Sequence, residues 1–465
     1  MKILLTGATG FVGKKLVSDL VLSGHRVVLL TRDSERTKKN LLLPCDVFSW
    51  DPLAGSPPQE AFAGVEAVIN LMGEGIAEKR WSAAQKKKIF ESRVIGTRNL
   101  ISGIEKFSVK SLSAFVSASA IGYYGSRGDE ILNENSQSGQ GFLADVCSAW
   151  EEETKKITKT KRTVNVRIGI VLGDGGGALS KMLPIFKLGA GGPVGSGKQV
   201  MSWIHLNDLV KILIQSLSDE RISGPVNAVS PNPVSNSQFS KTLGYILGKP
   251  AFMPAPAFAL KLAMGELSSI VLDSQRVYPE KLKSIGFNFD FPDLAAALSD
   301  VCHVRQHYKN KKKVICDRFL SLQWLPKNQS EVASFFSDAK ILEKLTPPNL
   351  HLEIATPDST KVELGSSMAL KLKIFGFPVK WVSVIESLDP GKWFVDIQEE
   401  GPYYYWHHKH SFIECQNGTL VHDEMFYAST RFSFVNFLVG GKVSKDLAAA
   451  FAYRRAKIAD YFSAK

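Results

Sequence analysis

Cysteine is scarce in this chain, and so is any device that would cross-link it. Five cysteines among 465 residues, Cys45, Cys147, Cys302, Cys316 and Cys415, form no C-x-x-C pair and no even-numbered framework. That spacing argues against disulfide staples and points to a reducing, cytoplasmic setting. Nor does any run approach the roughly 18 apolar residues of a membrane-spanning helix, so no transmembrane segment is expected. The apolar start Met1 to Leu5 ends at Thr6 and Gly7, too soon for a secretory signal, and reads as a buried strand. Acidic residues are in deficit, 45 against 57 Lys and Arg, for a net charge of +12. Such a balance suits phosphate-bearing ligands. Nucleic acid is the competing partner, but the runs at Lys86 to Lys88 and Lys311 to Lys313 lack interleaved aromatics, and no nucleic-acid partner is expected.

With 44% hydrophobic and 22% charged residues the chain is of ordinary globular composition, so a packed fold is expected throughout. At about 150 residues per domain the length allows two or three, and the texture supports two. The first part alternates strand and helix: Lys2 to Thr6, a glycine loop, a helix to about Leu22, then Arg26 to Leu30. Further buried strands are expected at Val47 to Trp50, Ala67 to Leu71, Ala114 to Ser117 and Val164 to Ile170, an α/β pattern with a parallel sheet covered on both faces. From Pro250 to Leu298 the pattern is mostly helical and reads as a cap. The polar stretch 301–313 reads as a linker. Beyond it, strands are expected at Val314 to Leu322, Leu350 to Ile354, Ser367 to Ile374, Lys380 to Leu388, Trp393 to Glu399, Tyr404 to Glu414 and Thr419 to Tyr427. A helix should follow from about Gly441 to Phe462. The boundaries are therefore 1–300 for the first domain, with its cap at about 250–298, and 314–465 for the second.

Thr6-Gly7-Ala8-Thr9-Gly10-Phe11-Val12-Gly13 sets three glycines at G-x-x-G-x-x-G spacing between strand and helix. Gly7 permits the sharp turn, Gly10 lets backbone approach a pyrophosphate, and Gly13 lets the helix lie close on the strand. A helix N-terminus then offers N–H groups to the phosphates. At the end of the second strand, Thr31-Arg32-Asp33 puts threonine where an NAD-selective site places an acid, and Arg32 could pair with a 2′-phosphate. NADP(H) is the expected cofactor, although Asp33 would restore the NAD reading in a register shifted by two.

These residues carry a resemblance. Residues 1–298 resemble the extended short-chain dehydrogenase/reductases, within the atypical epimerase-like, YfcH-like group. The matching motifs are the glycine loop, Asn70-Leu71-Met72-Gly73, Ser117 to Gly125, Arg167 to Gly173, and Trp203 to Asp208. The segment Pro250 to Leu298 is similar to that group's C-terminal extension. Residues 314–465 resemble the helix-grip (START/cyclase-like) superfamily through Gly376-Phe377-Pro378, Trp381, Phe394 to Gln398, Gly401-Pro402-Tyr403 and Phe451 to Arg455. The resemblance implies a Rossmann-type doubly wound parallel sheet with a small helical cap, followed by an α+β helix-grip domain. For the cofactor it implies Gly7, Thr9, Gly10, Phe11, Val12, Gly13, Arg32, Asn70, Leu71 and Gly73.

Short-chain dehydrogenases resemble one another in a serine, tyrosine and lysine arrangement, and Ser119 fits the serine. The resemblance implies that the tyrosine and lysine follow about 25 residues later, supplying the positioned proton donor that the reaction needs. Gln140 to Glu151 contains neither. Three readings stay open: Tyr123 or Tyr124 supplies the phenol, Asp145 or Cys147 acts with a pKa tuned by burial, or the cofactor is bound without turnover. Arg80 and Trp81 are the substrate candidates, a cation beside a flat wall. His205 and Asp208 read as local hydrogen-bonding groups at a helix entry.

In the second domain, His408 and His410 should share one strand face and His407 the other. With His422 or Asp423 they could bind zinc. An aromatic strand lining a cavity for a hydrophobic ligand is the preferred alternative, and no metal is assigned. The leading function is an NADP(H)-dependent oxidoreductase or epimerase-like protein acting on a small-molecule substrate. The alternative is a non-enzymatic sensor of NADP(H) and a lipid-like ligand.

Overall fold

The structure is a computed structural model. It describes all residues except 109, 339, 356–360, 375–376, 431–432 and 464–465, and leaves aside the side chains of 374, 377 and 433–439. Gly376 of the helix-grip motif thus lies outside the described residues, as does the Phe377 side chain. Two compact units are present, Met1–Asn40 with Cys45–Val301, and Leu41–Pro44 with Cys302–Lys465. Among the described residues, no helix is long and apolar enough to cross a membrane.

The first unit is built on seven strands: β1 (Lys2–Thr6), β2 (Arg26–Thr31), β3 (Cys45–Ser49), β4 (Ala67–Asn70), β5 (Ala114–Ala120), β6 (Thr163–Ile168) and β7 (Gly224–Ala228). All pairs are parallel, in the order β7-β6-β5-β4-β1-β2-β3. Ile3, Leu4 and Leu5 are wholly buried, as are Val68, Ile69, Phe115 and Val116. Such continuous apolar runs are what a parallel strand covered on both faces requires. Helix α1 (Phe11–Leu22) turns Leu16, Val17, Leu20 and Val21 inward. Around it lie α2 (Ser34–Leu41), α3 (Ala83–Phe107), α4 (Phe142–Thr154), α5 (Gly177–Lys187), α6 (Leu206–Ser218) and α7 (Asn236–Leu247). The chain runs outward from β1 through β2 and β3, then returns to β4 on the other side of β1. Connections leaving the carboxyl ends of β1 and β4 therefore diverge, and the crevice between them is where such sheets bind ligands.

The cap is a string of short helices, among them Ala257–Met264, Ser269–Leu272 and Glu280–Ser284, before α8 (Leu294–Val301) packs back. His205 and Asp208 have the structural roles expected of them. Asp208 accepts the amides of Asp290 at 2.7 Å and Phe291 at 3.0 Å, and His205 caps α6 by accepting from Asn207 N at 3.2 Å.

In the second unit the stretch 301–313 differs from an irregular linker. It contributes β8 (Val304–Gln306), which pairs antiparallel with β9 (Lys313–Ile315), and His307 Nε2 lies 2.9 Å from the Tyr404 carbonyl. The rings of His307 and Tyr308 pack on Tyr404 and Tyr405, burial that the surrounding lysines obscure in the sequence. Next come β10 (Asp317–Leu325), β11 (Glu353–Ile354), β12 (Ser367–Ile374), β13 (Phe377–Asp389), β14 (Trp393–Glu400), β15 (Tyr405–Cys415) and β16 (Gly418–Ala428). They form an antiparallel sheet in the order β10-β16-β15-β14-β13-β12-β11. Gln416 and Asn417, both at positive φ, make the tight turn between β15 and β16. Gly418 is needed for another reason: a Cβ there would meet the Leu325 carbonyl oxygen at 2.4 Å. Two helices, α9 (Gln329–Phe336) and α10 (Ser433–Ser463), cover the sheet. Phe451, Ile458 and Phe462 of α10 are buried against Trp406, Phe412, Val421 and Met425.

A Cβ on Gly13 would lie 2.1 Å from the Gly7 carbonyl oxygen, a backbone atom that cannot swing away. Gly13→Ala should therefore cost about 1–3 kcal/mol of stability, seen as a lower thermal midpoint. An unchanged midpoint would refute this packing of α1 on β1.

Candidate functional site

The loop after β1 shows the close approaches its glycines imply. Gly7 has φ 74°, and a Cβ there would sit 2.6 Å from the Leu71 carbonyl oxygen. Gly10 begins α1 as an extended N-cap without side-chain capping, and Thr9 and Gly10 are exposed. The first turn of α1 is thus open to an anion at the positive end of the helix. Phe11 packs its ring on the backbone of Gly173, Gly176 and Gly177, and Val12 is half-buried beside it.

A buried hydrogen-bond cluster fixes the neighbouring strand ends. Thr6 Oγ1 donates to Asn70 Oδ1 at 2.7 Å, and Asn70 Nδ2 donates to Thr97 Oγ1 at 2.9 Å and Ser117 Oγ at 3.2 Å. Trp150 Nε1 donates to the same Thr97 oxygen at 2.9 Å. Asn70 therefore ties β1, β4, β5 and α3 together, while Leu71 abuts Gly7 and Gly73 stays exposed at the edge.

At the end of β2, Arg32 is exposed. Asp33 is occupied: its carboxylate accepts Arg36 N at 2.9 Å, and its carbonyl accepts Thr37 Oγ1 at 2.7 Å, which makes it the cap of α2. The register in which Asp33 would serve a ribose hydroxyl is thus countered by its use as a cap.

The expected catalytic trio has a different environment from the one anticipated. Ser119 Oγ, 2% exposed, donates to Glu151 Oε1 at 2.7 Å. Glu151 in turn holds Arg167 through two bonds of 2.9 Å. Arg167 also donates to Tyr124 OH at 3.0 Å and covers the Tyr123 ring at 3.5 Å from its centroid. Tyr124 is wholly buried, and its hydroxyl donates to Asn227 Oδ1 at 2.7 Å. Burial pushes that phenol up to about 12, against the pull of Arg167. The Tyr124 hydroxyl is therefore engaged as an internal strut, whereas Tyr123, half-buried, offers its ring as a platform for Arg167.

The face of α4 turned toward this cluster presents residues four apart. A Cβ on Gly122 would meet Leu143 Cβ at 3.1 Å and Cys147 Sγ at 3.8 Å. Leu143 and Cys147 hold the spacing that a Tyr-x-x-x-Lys pair would need. Burial pushes the Cys147 thiol up to about 11, so it stays protonated and inert, while Asp145 points to solvent.

Beside this face opens a cleft of about 830 Å³, between the end of β5, the start of α4 and the cap. Trp81, Gly122, Gln140, Leu143, Lys261 and Asp273 are among its lining residues, and no tyrosine is among those described. Trp81 packs edge-on to Phe142, with ring centroids 5.2 Å apart. Arg80 is not in the lining. It is exposed and donates to the Leu262 carbonyl at 2.5 Å, a contact with the cap. The cap groups were missed by sequence reading, because nothing local marks a lysine or aspartate on a short helix as pocket-facing. Asp273 is half-buried in the cleft, and desolvation raises its carboxyl above the ordinary range.

Comparison with known proteins follows the same division of the chain. Residues 3–228 match the model of the NAD dependent epimerase/dehydratase family, and residues 255–301, the cap, match a domain of unknown function, DUF1731. The chloroplastic homolog of epimerase family protein SDR39U1 from Arabidopsis thaliana is 39% identical over 300 residues, 64% of this chain and 86% of that protein. The crystal structure of human SDR39U1 (isoform 2) with NADPH aligns at 33% identity and a TM-score of 0.58, over 65% of this chain and 99% of that one. A nucleoside-diphosphate sugar epimerase from Corynebacterium glutamicum is similar at 35% identity and TM-score 0.52, over 65% of this chain and 58% of that one.

Removing one partner of a buried ion pair strands the other. Arg167→Met should cost about 3–5 kcal/mol, measured by denaturant unfolding. A loss below about 1 kcal/mol, the worth of a surface pair, would contradict this burial. Thiol labelling at pH 8 gives an independent check: Cys147→Ser should leave the native-state count unchanged, and one thiol fewer would show that Cys147 is accessible.

Proposed function

The chain belongs, through its first unit, to the epimerase family that includes SDR39U1, and on that premise we propose an NADP(H)-dependent oxidoreductase or epimerase-like protein. Gly7, Thr9, Gly10, Phe11, Val12 and Gly13 would hold the pyrophosphate, with the N-terminus of α1 facing it. Asn70, Leu71 and Gly73 would flank the dinucleotide along the strand ends. Arg32 would take the 2′-phosphate, a role for which a guanidinium suits better than any neutral group. When bound, the nicotinamide supplies or accepts a hydride. The protein's part is to place a carbon of the substrate beside it and to exchange a proton.

The observation that carries the cofactor choice is the exposure of Arg32 next to an Asp33 already committed to capping α2. The substrate takes the cleft beneath the cap, against Trp81. Leu143, Leu272 and the Phe142 ring in the lining would suit a substrate with an apolar part. Asp273, its carboxyl raised by burial, is the proton-exchanging group in place of a phenol.

A second reading, a sensor that binds NADP(H) without turnover, is favoured by the engagement of Ser119 with Glu151 and of Tyr124 with Arg167. The second unit is read as a helix-grip domain for a hydrophobic ligand. Its long helix on a seven-stranded antiparallel sheet supports this, as does a groove of about 560 Å³ lined by Phe335, Ile341, Leu345, Tyr453 and Tyr461. A cytoplasmic location completes the proposal, supported by cysteines that form no disulfide.

Fluorescence titration with NADPH and NADH tests the cofactor. NADPH should bind at least tenfold more tightly, and Arg32→Ala should remove most of that margin, about 1.4 kcal/mol per factor of ten. Equal affinities in the wild type would remove Arg32 from the site, and binding of neither would sink the enzyme reading. If NADPH binds, Asp273→Asn should abolish turnover of any carbonyl substrate found by screening. Retained turnover would assign the proton to another group.

A further inference from the structure

The inner face of the second unit's sheet carries ionisable groups where aromatic packing would be the simpler solution. Asp396 on β14 sits opposite His408 on β15, and Asp423 on β16 sits opposite His410. Alternation along each strand turns all four the same way, toward α10, whereas His407 and His422 face outward. His408, His410 and Asp423 are 5%, 7% and 4% exposed.

The two imidazoles lie between the two carboxylates. Asp396 Oδ1 is 3.4 Å from His408 Nδ1 and 3.4 Å from His410 Nε2. On the other side, Asp423 Oδ1 is 3.5 Å from His408 Nε2 and 2.6 Å from His410 Nδ1. One ligand atom each from Asp396, His408 and His410 falls within a span of 4.8 Å. Tetrahedral zinc binds nitrogen and carboxylate oxygen at about 2.0–2.2 Å, which puts neighbouring ligand atoms roughly 3.3–3.5 Å apart. The Asp396 side has that spacing. The 2.6 Å contact to Asp423 is too short for two ligands of one ion but suits a carboxylate that orients a ligating imidazole through its other nitrogen. The second oxygen of Asp396 is held by Ser383 Oγ at 2.9 Å, leaving Oδ1 for the cluster.

His408 Nε2, His410 Nδ1 and Asp423 Oδ1, the atoms turned away from where an ion would sit beside Asp396, are buried with ion-pair contacts of 3.5 and 2.6 Å between them, so the Asp423 side is held by charge rather than by well-aligned hydrogen bonds. Aromatic walls restrict access: Phe394 stacks on His410 at 4.4 Å, and Phe451 lies 5.9 Å from His408. Arg454 approaches both carboxylates from α10. A divalent ion would neutralise the carboxylates, and the remaining guanidinium charge suits an anionic group or water at a fourth position.

We propose that Asp396, His408 and His410 bind one divalent transition-metal ion inside the second unit, with Asp423 orienting the histidines and the fourth position left for water or an anionic ligand. This site is independent of the NADP(H) reading. Two imidazoles and one carboxylate match ions of the zinc, cobalt and iron(II) type rather than calcium or magnesium.

The test uses the full chain without an affinity tag, stripped with chelator, dialysed and titrated with Co²⁺. The expected result is one Co²⁺ per chain, with the visible absorption of a low-coordinate cobalt site, displaced by one equivalent of Zn²⁺. Asp396→Asn and His410→Gln should each weaken retention at least tenfold, and His422→Gln should not. A folded wild type that retains neither cobalt nor zinc would overturn the proposal and leave a closed ion-pair cluster with Arg454. Bands that persist in both Asp396→Asn and His410→Gln would overturn it as well, by placing the metal elsewhere. Because the first outcome needs only the wild type, misfolding of a variant would not shield the proposal.

Discussion

Arg167 and Glu151 form a guanidinium–carboxylate pair with two parallel bonds of 2.9 Å, both residues more than nine-tenths buried. Around it the first unit's site is assembled. Glu151 comes from α4 and Arg167 from β6. Ser119 at the end of β5 donates into the pair, Tyr124 accepts from it, and Asn227 on β7 receives the Tyr124 hydroxyl. A buried charge without its partner is costly, so no member can rotate away to serve a substrate without exposing the others to that penalty. The pair thereby fixes where the strand ends, the start of α4 and the floor of the cleft stand. It also engages the hydroxyls of Ser119 and Tyr124 in the same network.

That constraint shapes the chemistry left to the first unit. With Leu143 and Cys147 on the face of α4 where a phenol and an ammonium would be needed, the proposed reaction takes its proton from the cap side of the cleft. Asp273 is the desolvated carboxyl there. Dinucleotide binding depends on none of this. As proposed, it uses the glycine cradle, the open first turn of α1 and the arginine beyond β2, set by the β1–α1–β2 unit, together with Asn70, Leu71 and Gly73 at the end of β4. Cofactor recognition and proton supply are thus separable, which is why the two readings of function differ only in the second.

The parallel strands were legible because each is a short run of fully buried aliphatics between turn residues, as in Ile3 to Leu5 and Ala67 to Ile69. The glycine loop was legible because Gly7 and Gly13 answer steric demands that no side chain could meet. Boundaries of Ser367–Ile374 and of the strands from Trp393 to Ala428 also emerged closely, since alternation and turns mark them, whereas the expected strand Val314 to Leu322 is divided between β9 and β10 and only Glu353–Ile354 forms where Leu350 to Ile354 was expected. What stayed hidden depends on contacts distant in sequence. Tyr124 reads as an available phenol until Asn227, 103 residues away, is seen to hold it. Arg80 reads as a free cation until the carbonyl of Leu262 is seen beside it. The histidine pair was visible as one strand face, but Asp396 and Ser383 are brought to it only by strand pairing, and aromatic neighbours made an apolar cavity wall look sufficient. The hairpin within 301–315 was masked by its lysines, which are exposed while His307 is buried.

The most direct test of the central claim is a crystal structure of this chain with NADPH bound, measuring the distance from the nicotinamide C4 environment to the nearest tyrosine hydroxyl. The account predicts the 2′-phosphate at Arg32, the nicotinamide opening onto the cleft beneath the cap, and every tyrosine hydroxyl outside hydrogen-bond reach, about 2.6–3.2 Å, of a ligand placed there. A Tyr123 or Tyr124 hydroxyl within that reach, freed from Arg167 and Asn227, would contradict it.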